Sequence, residues 1–144
     1  MLDLRDVGQT VVAALAPFAH AKGVDLALEQ PTTPVFARAN TEAVEIALSN
    51  LIENAILHDG AGAVEVTVDH GPAITVRHHG PGLPPVEEEQ IFKPFWRGPH
   101  AVSGGAGLGL AIVDRAQRAQ GGGVFVKTPE ADGATFVLTY PSAD

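Results

Sequence analysis

Twice in this sequence, two alternating apolar runs are joined by a link too short for anything but a turn. Val64, Val66 and Val68 alternate with polar partners, and His70-Gly71-Pro72 leads directly to Ile74, Thr75 and Val76. Later, Val124 to Thr128 and Ala134 to Tyr140, with Phe136 and Leu138 alternating, are joined by a turn through Asp132-Gly133. Strands linked as hairpins are antiparallel, so a doubly wound parallel sheet is excluded.

Helical patterns surround these hairpins. Leu4, Val7, Val11, Val12, Leu15 and Phe18 mark an amphipathic helix from Asp3 to about Ala21, ended by Lys22-Gly23. Val24, Leu26 and Leu28 alternate as a strand, and Pro31-Thr32-Thr33-Pro34 turns into a short strand near Val35 to Ala37. A short helix is expected from Val86 to Ile91. Gly98 to Gly107 has four glycines and few apolar anchors, which predicts a mobile stretch. Leu108 to Ala119 reads as a helix with Leu108, Ile112, Ala116 and Ala119 on its apolar stripe and Gly121-Gly122-Gly123 as its stop. This order suits an α+β fold: a two-layer α/β sandwich, with a mixed, mostly antiparallel sheet and its helices on one face. At 144 residues and 45% hydrophobic, residues 1–144 are expected to form a single domain around one core.

Charge and composition remove several functions. A net charge of -8 argues against a nucleic-acid surface, which needs a basic face, but leaves room for one small phosphorylated ligand held by backbone amides and a metal ion. The chain has no cysteine, hence no disulfide framework and no thiolate metal site, which fits a reducing compartment such as the cytoplasm. No apolar run approaches the roughly 18 residues of a membrane helix, so no membrane contact is expected of this domain.

The functional signal begins in the stretch Asn40 to Asp59, an amphipathic helix with Asn40 as N-cap and Glu42 in the first turn. Val44, Ala47, Leu48, Leu51, Ile52 and Ala55 form its buried stripe. Asn50 and Asn54 lie on one line roughly 120° from the middle of that stripe, at its edge. They are either two solvated amides or a pair held for a ligand, since asparagine is a poor interior helix former. Two glycine clusters follow. Gly80-Pro81-Gly82, at a strand end, lets the backbone approach a ligand closely. Gly104-Gly105-Ala106-Gly107-Leu108-Gly109-Leu110 runs straight into a helix, whose free amides and positive dipole end favour phosphates. It also contains Gly-x-Gly-x-Gly, but no preceding strand or βαβ unit supports a dinucleotide fold.

Four segments occur in order: Leu48-Ser49-Asn50-Leu51-Ile52-Glu53-Asn54-Ala55, His78-His79-Gly80-Pro81-Gly82-Leu83-Pro84, Ile91-Phe92-Lys93-Pro94-Phe95-Trp96-Arg97, and Gly105-Ala106-Gly107-Leu108-Gly109-Leu110. Together they resemble the N, G1, F and G2 boxes of the catalytic ATP-binding domain of sensor histidine kinases, within the wider group of gyrase, heat-shock chaperone and mismatch-repair ATPases. The resemblance implies a Bergerat-type ATP-binding fold with ATP and Mg²⁺ as cofactors. It makes Asn54 the amide that binds Mg²⁺, an ion that prefers oxygen ligands. Asn50 takes the place of the glutamate base of the ATPases, which points to transfer onto a histidine and not onto water. By the same resemblance His58, His78, Gly80 and Gly82 belong to the nucleotide site, with the two glycines at the adenine end. Arg97 reaches the phosphates, Phe92 and Phe95 anchor the lid or simply pack in the core, and Gly105, Gly107, Leu108 and Gly109 form the lid hinge and phosphate cradle.

The sequence departs from the family at two positions. The G1 box usually begins with an aspartate that accepts a hydrogen bond from the adenine amino group; here His78 stands there, an uncharged and weaker acceptor. Three residues after Asn54, where the family usually has lysine or arginine, stands Leu57. Losing two charge-assisted contacts would weaken ATP by on the order of 100-fold if the effects added. No acceptor-histidine hairpin is visible, since His20 is followed by Ala21-Lys22 and not by an acidic residue. The resemblance therefore implies a kinase catalytic domain acting on a histidine of a separate helical hairpin, in the parent chain or a partner, with a response regulator downstream and any membrane anchor in the parent protein. The alternative is a degenerate scaffold module that keeps the fold, binds nucleotide weakly or not at all, and recognises helical partners.

Overall fold

The computed structural model describes residues 1–59, 62–78, 106–127 and 134–143. The expected short helix at Val86 to Ile91, the glycine stretch from Gly98 to Gly105 and the Asp132-Gly133 turn lie outside the described residues.

Five strands build the main sheet: β2 (Asp25–Glu29), β4 (Ala63–Asp69), β5 (Ala73–His78), β6 (Gly123–Lys127) and β7 (Ala134–Thr139), in the order β2-β4-β5-β7-β6. The expected hairpin of β4 and β5 is present, with Val66 opposite Val76 and Val64 opposite His78. β5 and β6 both pair antiparallel with β7. Only β2 runs parallel to its neighbour β4 among the described pairs. That pairing follows from the connection, which carries a whole helix, α2 (Thr41–Asp59), between the two strands.

Period-two burial then fixes the faces. Val64, Val66, Val68, Ile74, Val76, Phe136 and Leu138 all point to the side covered by helices. Against them lie α1 (Leu4–Ala21), α2 and α3 (Ala106–Ala119). Every residue of the predicted α2 stripe is buried, and Ile56, next to Ala55, is buried with them. Side chains such as Leu48, Leu51 and Ile52 contribute roughly 1.5–3 kcal/mol each by leaving water. Asn40 caps α2 as expected: its Oδ1 accepts the Ala43 amide at 3.0 Å.

A second, two-stranded sheet was not legible in the sequence. β1 (Leu2–Asp3) pairs antiparallel with β3 (Phe36–Ala37), and Ala37 also bridges to Ser142. Asp3 is the N-cap of α1 as well: its Oδ1 accepts from the Arg5 amide at 3.1 Å and from the Val35 amide at 3.0 Å. The Arg5 guanidinium sits 2.9 Å from Asp3 Oδ2 and donates to Thr32 O. These donors, the guanidinium first, hold the Asp3 carboxyl below its usual pKa.

The buried face of α3 differs from the periodicity reading. The helix starts at Ala106, two residues earlier than expected, and Ile112 is 45% exposed while Val113 and Gln117 are completely buried. Hydrogen bonding explains the rotation. Gln117 Nε2 donates to Gly123 O and to Thr139 O, both at 3.0 Å, which ties the last turn of α3 to β6 and β7. The chain leaves this turn through Gly122, so close to β7 that a Cβ there would lie 2.1 Å from Thr139 O.

Candidate nucleotide site

Three of the four sequence boxes are represented among the described residues, and the topology brings them to one end of the molecule. α2 ends at Asp59 and β4 begins at Ala63, so the last turns of α2 lie beside the start of β4. Val64, the second residue of β4, is opposite His78, the last residue of β5. His78 is therefore at the α2 C-terminal end of the sheet, on the helix-covered face, buried at 6% exposure. Its ring stacks on Phe136 of β7, with centroids 6.5 Å apart and planes 20° apart.

α3 approaches the same end from the other direction. The Asn40 amide at the start of α2 donates to Gln120 Oε1, just past the end of α3, at 2.9 Å, so the packed helices run antiparallel. Asn54 is fourteen residues beyond Asn40, and Ala106 is fourteen before Gln120. At 1.5 Å per residue, both lie roughly 21 Å from that hydrogen bond. The first turn of α3, containing Gly107, Leu108 and Gly109, is thus level with Asn54.

Asn50 and Asn54 occupy the predicted ridge, both half-buried at the edge of the α2 stripe. The Asn54 amide tests the fit of a hard cation. Its Nδ2 is enclosed and has no hydrogen-bond partner among the described residues. A buried amide donor without a partner costs about 1–3 kcal/mol, and an N–H donor suits an acceptor such as a phosphate oxygen, not a cation. A helix N-terminus likewise favours phosphate, and the Oδ1 of the same carboxamide is the oxygen that would hold a Mg²⁺ bound to that phosphate and to waters.

The remaining predicted residues are only partly in view. His58 is in the last turn of α2. Leu57, one residue earlier and half-buried, places no cation on that turn. Gly80, Gly82, Phe92, Phe95, Arg97 and Gly105 lie outside the described residues. Sequence reasoning missed Gln117 and Gln120, which touch no box but hold α3 in place. Their only sequence signal is position: one amide in the last turn of α3 and one just past its end, before a glycine run.

Residues 39–144 match the family described as histidine kinase-, DNA gyrase B-, and HSP90-like ATPase. The match covers well over half of the chain, which therefore belongs to that family. Within it, the likeness is to sensor histidine kinases. The chain is 38% identical over 146 residues to sensor histidine kinase MtrB of Mycolicibacterium paratuberculosis, an alignment covering 97% of this chain and 26% of that protein. It thus spans about a quarter of the length of the relative it matches. Among solved structures, full-length ShkA in complex with AMPPNP superposes with a TM-score of 0.78 at 30% identity, covering 99% of this chain and 31% of that one. Histidine kinase ThkA in complex with response regulator protein TrrA gives a TM-score of 0.83 at 23% identity, covering 99% and 41%, and supports the fold alone.

Proposed function

We propose that this chain is the ATP-binding catalytic domain of a two-component sensor histidine kinase, and that it passes the γ-phosphoryl group of Mg-ATP to a histidine on a separate helical hairpin. In that transfer the bond from the γ-phosphorus to the β,γ-bridging oxygen breaks, ADP leaves with the electron pair, and an imidazole nitrogen of the acceptor forms the new P–N bond. The observation that carries the reading is the Asn50–Asn54 ridge, level with the start of α3 and at the same end as His78.

Each residue has a stated part. Asn54 offers its carboxamide oxygen to Mg²⁺, which when bound neutralises charge on the phosphates. Asn50, one turn earlier, orients the phosphates and cannot take a proton from water, which disfavours hydrolysis. His78 contacts the base, and Gly107 and Gly109 let the first turn of α3 present its amides to the phosphates. A response regulator then receives the group from the acceptor histidine. The nucleotide-bound ShkA structure, in which the similar chain holds AMPPNP, supports the ligand class.

Incubation of the domain with a kinase acceptor hairpin and γ-labelled ATP tests the proposal. Acid-labile label should appear on the hairpin, and Asn54→Ala should remove it without lowering thermal stability by more than about 1 kcal/mol, because the Nδ2 it deletes has no partner among the described residues. His78 and Leu57 favour one second reading, a scaffold module without turnover. Helix binding without label transfer at millimolar ATP would establish it.

A further inference from the structure

We propose that Gln120 is a positioning residue: its carboxamide sets the register between the asparagine helix and the helix that follows the glycine run, and through that register it tunes nucleotide affinity from about 20 Å away. The proposal rests on the kinase reading of the site for its consequence, but not for its geometry.

Among the described residues, the bond from the Asn40 amide to Gln120 Oε1 is the one side-chain hydrogen bond joining the segments that bear α2 and α3. Both ends of it are fixed. Asn40 caps α2 through Oδ1 and also accepts the Val44 amide on its carbonyl, so its own N–H direction is set by the helix it starts. On the other side, Gln120 N donates to Gln117 O, and Gln117 is bolted to Gly123 O and Thr139 O. The Gln120 Nε2 end faces Ala116 O at 3.5 Å, a long contact that turns Oε1 toward Asn40. A rigid α3 terminus therefore holds a rigid α2 terminus by one acceptor oxygen.

Between the two ends Val113 of α3 is buried in the same apolar core as Leu48, Leu51 and Ile52 of α2, and apolar packing alone tolerates small slides. A slide along the helix axis moves Asn50 and Asn54 relative to the amides of the first α3 turn. Phosphate and cation sites lose strength quickly with such displacement. The net worth of one hydrogen bond caps the effect on affinity at about tenfold.

The test uses Gln120→Met, which keeps length and loses the acceptor, and Gln120→Glu, which keeps an acceptor oxygen. Because the chain has no cysteine, spin labels placed by Glu53→Cys and Arg115→Cys, both exposed, report the spacing of the two helices. The labelled distance should shift or broaden with Gln120→Met and stay as in the parent with Gln120→Glu. Calorimetric titration with Mg-ATP should show affinity weakened about threefold to tenfold by Gln120→Met and restored by Gln120→Glu. Unchanged label distances in Gln120→Met would overturn the proposal, as would a loss of melting temperature with no change in affinity. A parent chain that binds no nucleotide would refute the kinase reading instead, and the label distances would still decide the register.

Discussion

The His78 imidazole stacks on the Phe136 ring, with centroids 6.5 Å apart, at the end of β5, the position where the G1-box resemblance leads one to expect an aspartate. The stack fixes the plane of the ring, and an imidazole in its neutral form has a single acceptor nitrogen where a carboxylate has two charged oxygens. Replacing it separates two effects. His78→Asp should tighten Mg-ATP by about tenfold or more, since a hydrogen bond to a charged acceptor is worth roughly 1.5–3 kcal/mol. The same change places a carboxylate on the inner face of the sheet and gives up the stack, so the nucleotide-free protein should melt lower. Titration and melting of both proteins check this. Equal ATP affinities would remove His78 from base recognition.

The α3–β6 junction makes a sharper test of packing. A methyl group added at Gly122 would lie 2.1 Å from the Thr139 carbonyl oxygen, a backbone atom that cannot turn aside. Gly122→Ala should therefore cost about 1–3 kcal/mol or more, in the range of overpacked cores. Urea denaturation measures it, and an unchanged midpoint would show that β6 can shift away from β7.

Low pH should loosen the start of α1. The Asp3 carboxyl is held below its ordinary value of 3.8 chiefly by the Arg5 guanidinium, so the unfolded chain binds its proton more readily. Its contribution is complete above that ordinary value and is lost as pH falls through the lowered one. The stability difference between the parent and Asp3→Ala should be constant from neutral pH down to about 5 and should shrink below about 3.8. A difference that persists undiminished at the lowest pH would assign the effect to the uncharged cap.

What could be read in advance followed physical periodicity. The α2 stripe, the Asn40 cap and the β4–β5 hairpin all depend on neighbours a few residues apart, and each is found where the spacing put it. Three features depended instead on distant partners. Two residues of β1 pair with β3 across more than thirty positions, too short a run to leave a pattern. β2 gives no sign of whether its neighbour runs with it or against it. The face of α3 was misread because Ile112 fits a stripe better than Gln117 does by hydropathy alone. Only the waiting carbonyls of Gly123 and Thr139 explain why an amide is inside and an isoleucine outside. At the site, the asparagine ridge was readable from its offset, whereas the position of His78 beneath a helix needed the register of β4 and β5.

Ala37 pairs with Leu2 on one side and with Ser142 on the other. A pull delivered at residue 2 and resisted at residue 142 would load this one short strand and bypass the five-stranded sheet. Mechanical strain arriving along the backbone would thus be spent in unzipping a few bonds at the periphery, leaving the asparagine ridge undisturbed until that clasp had given way.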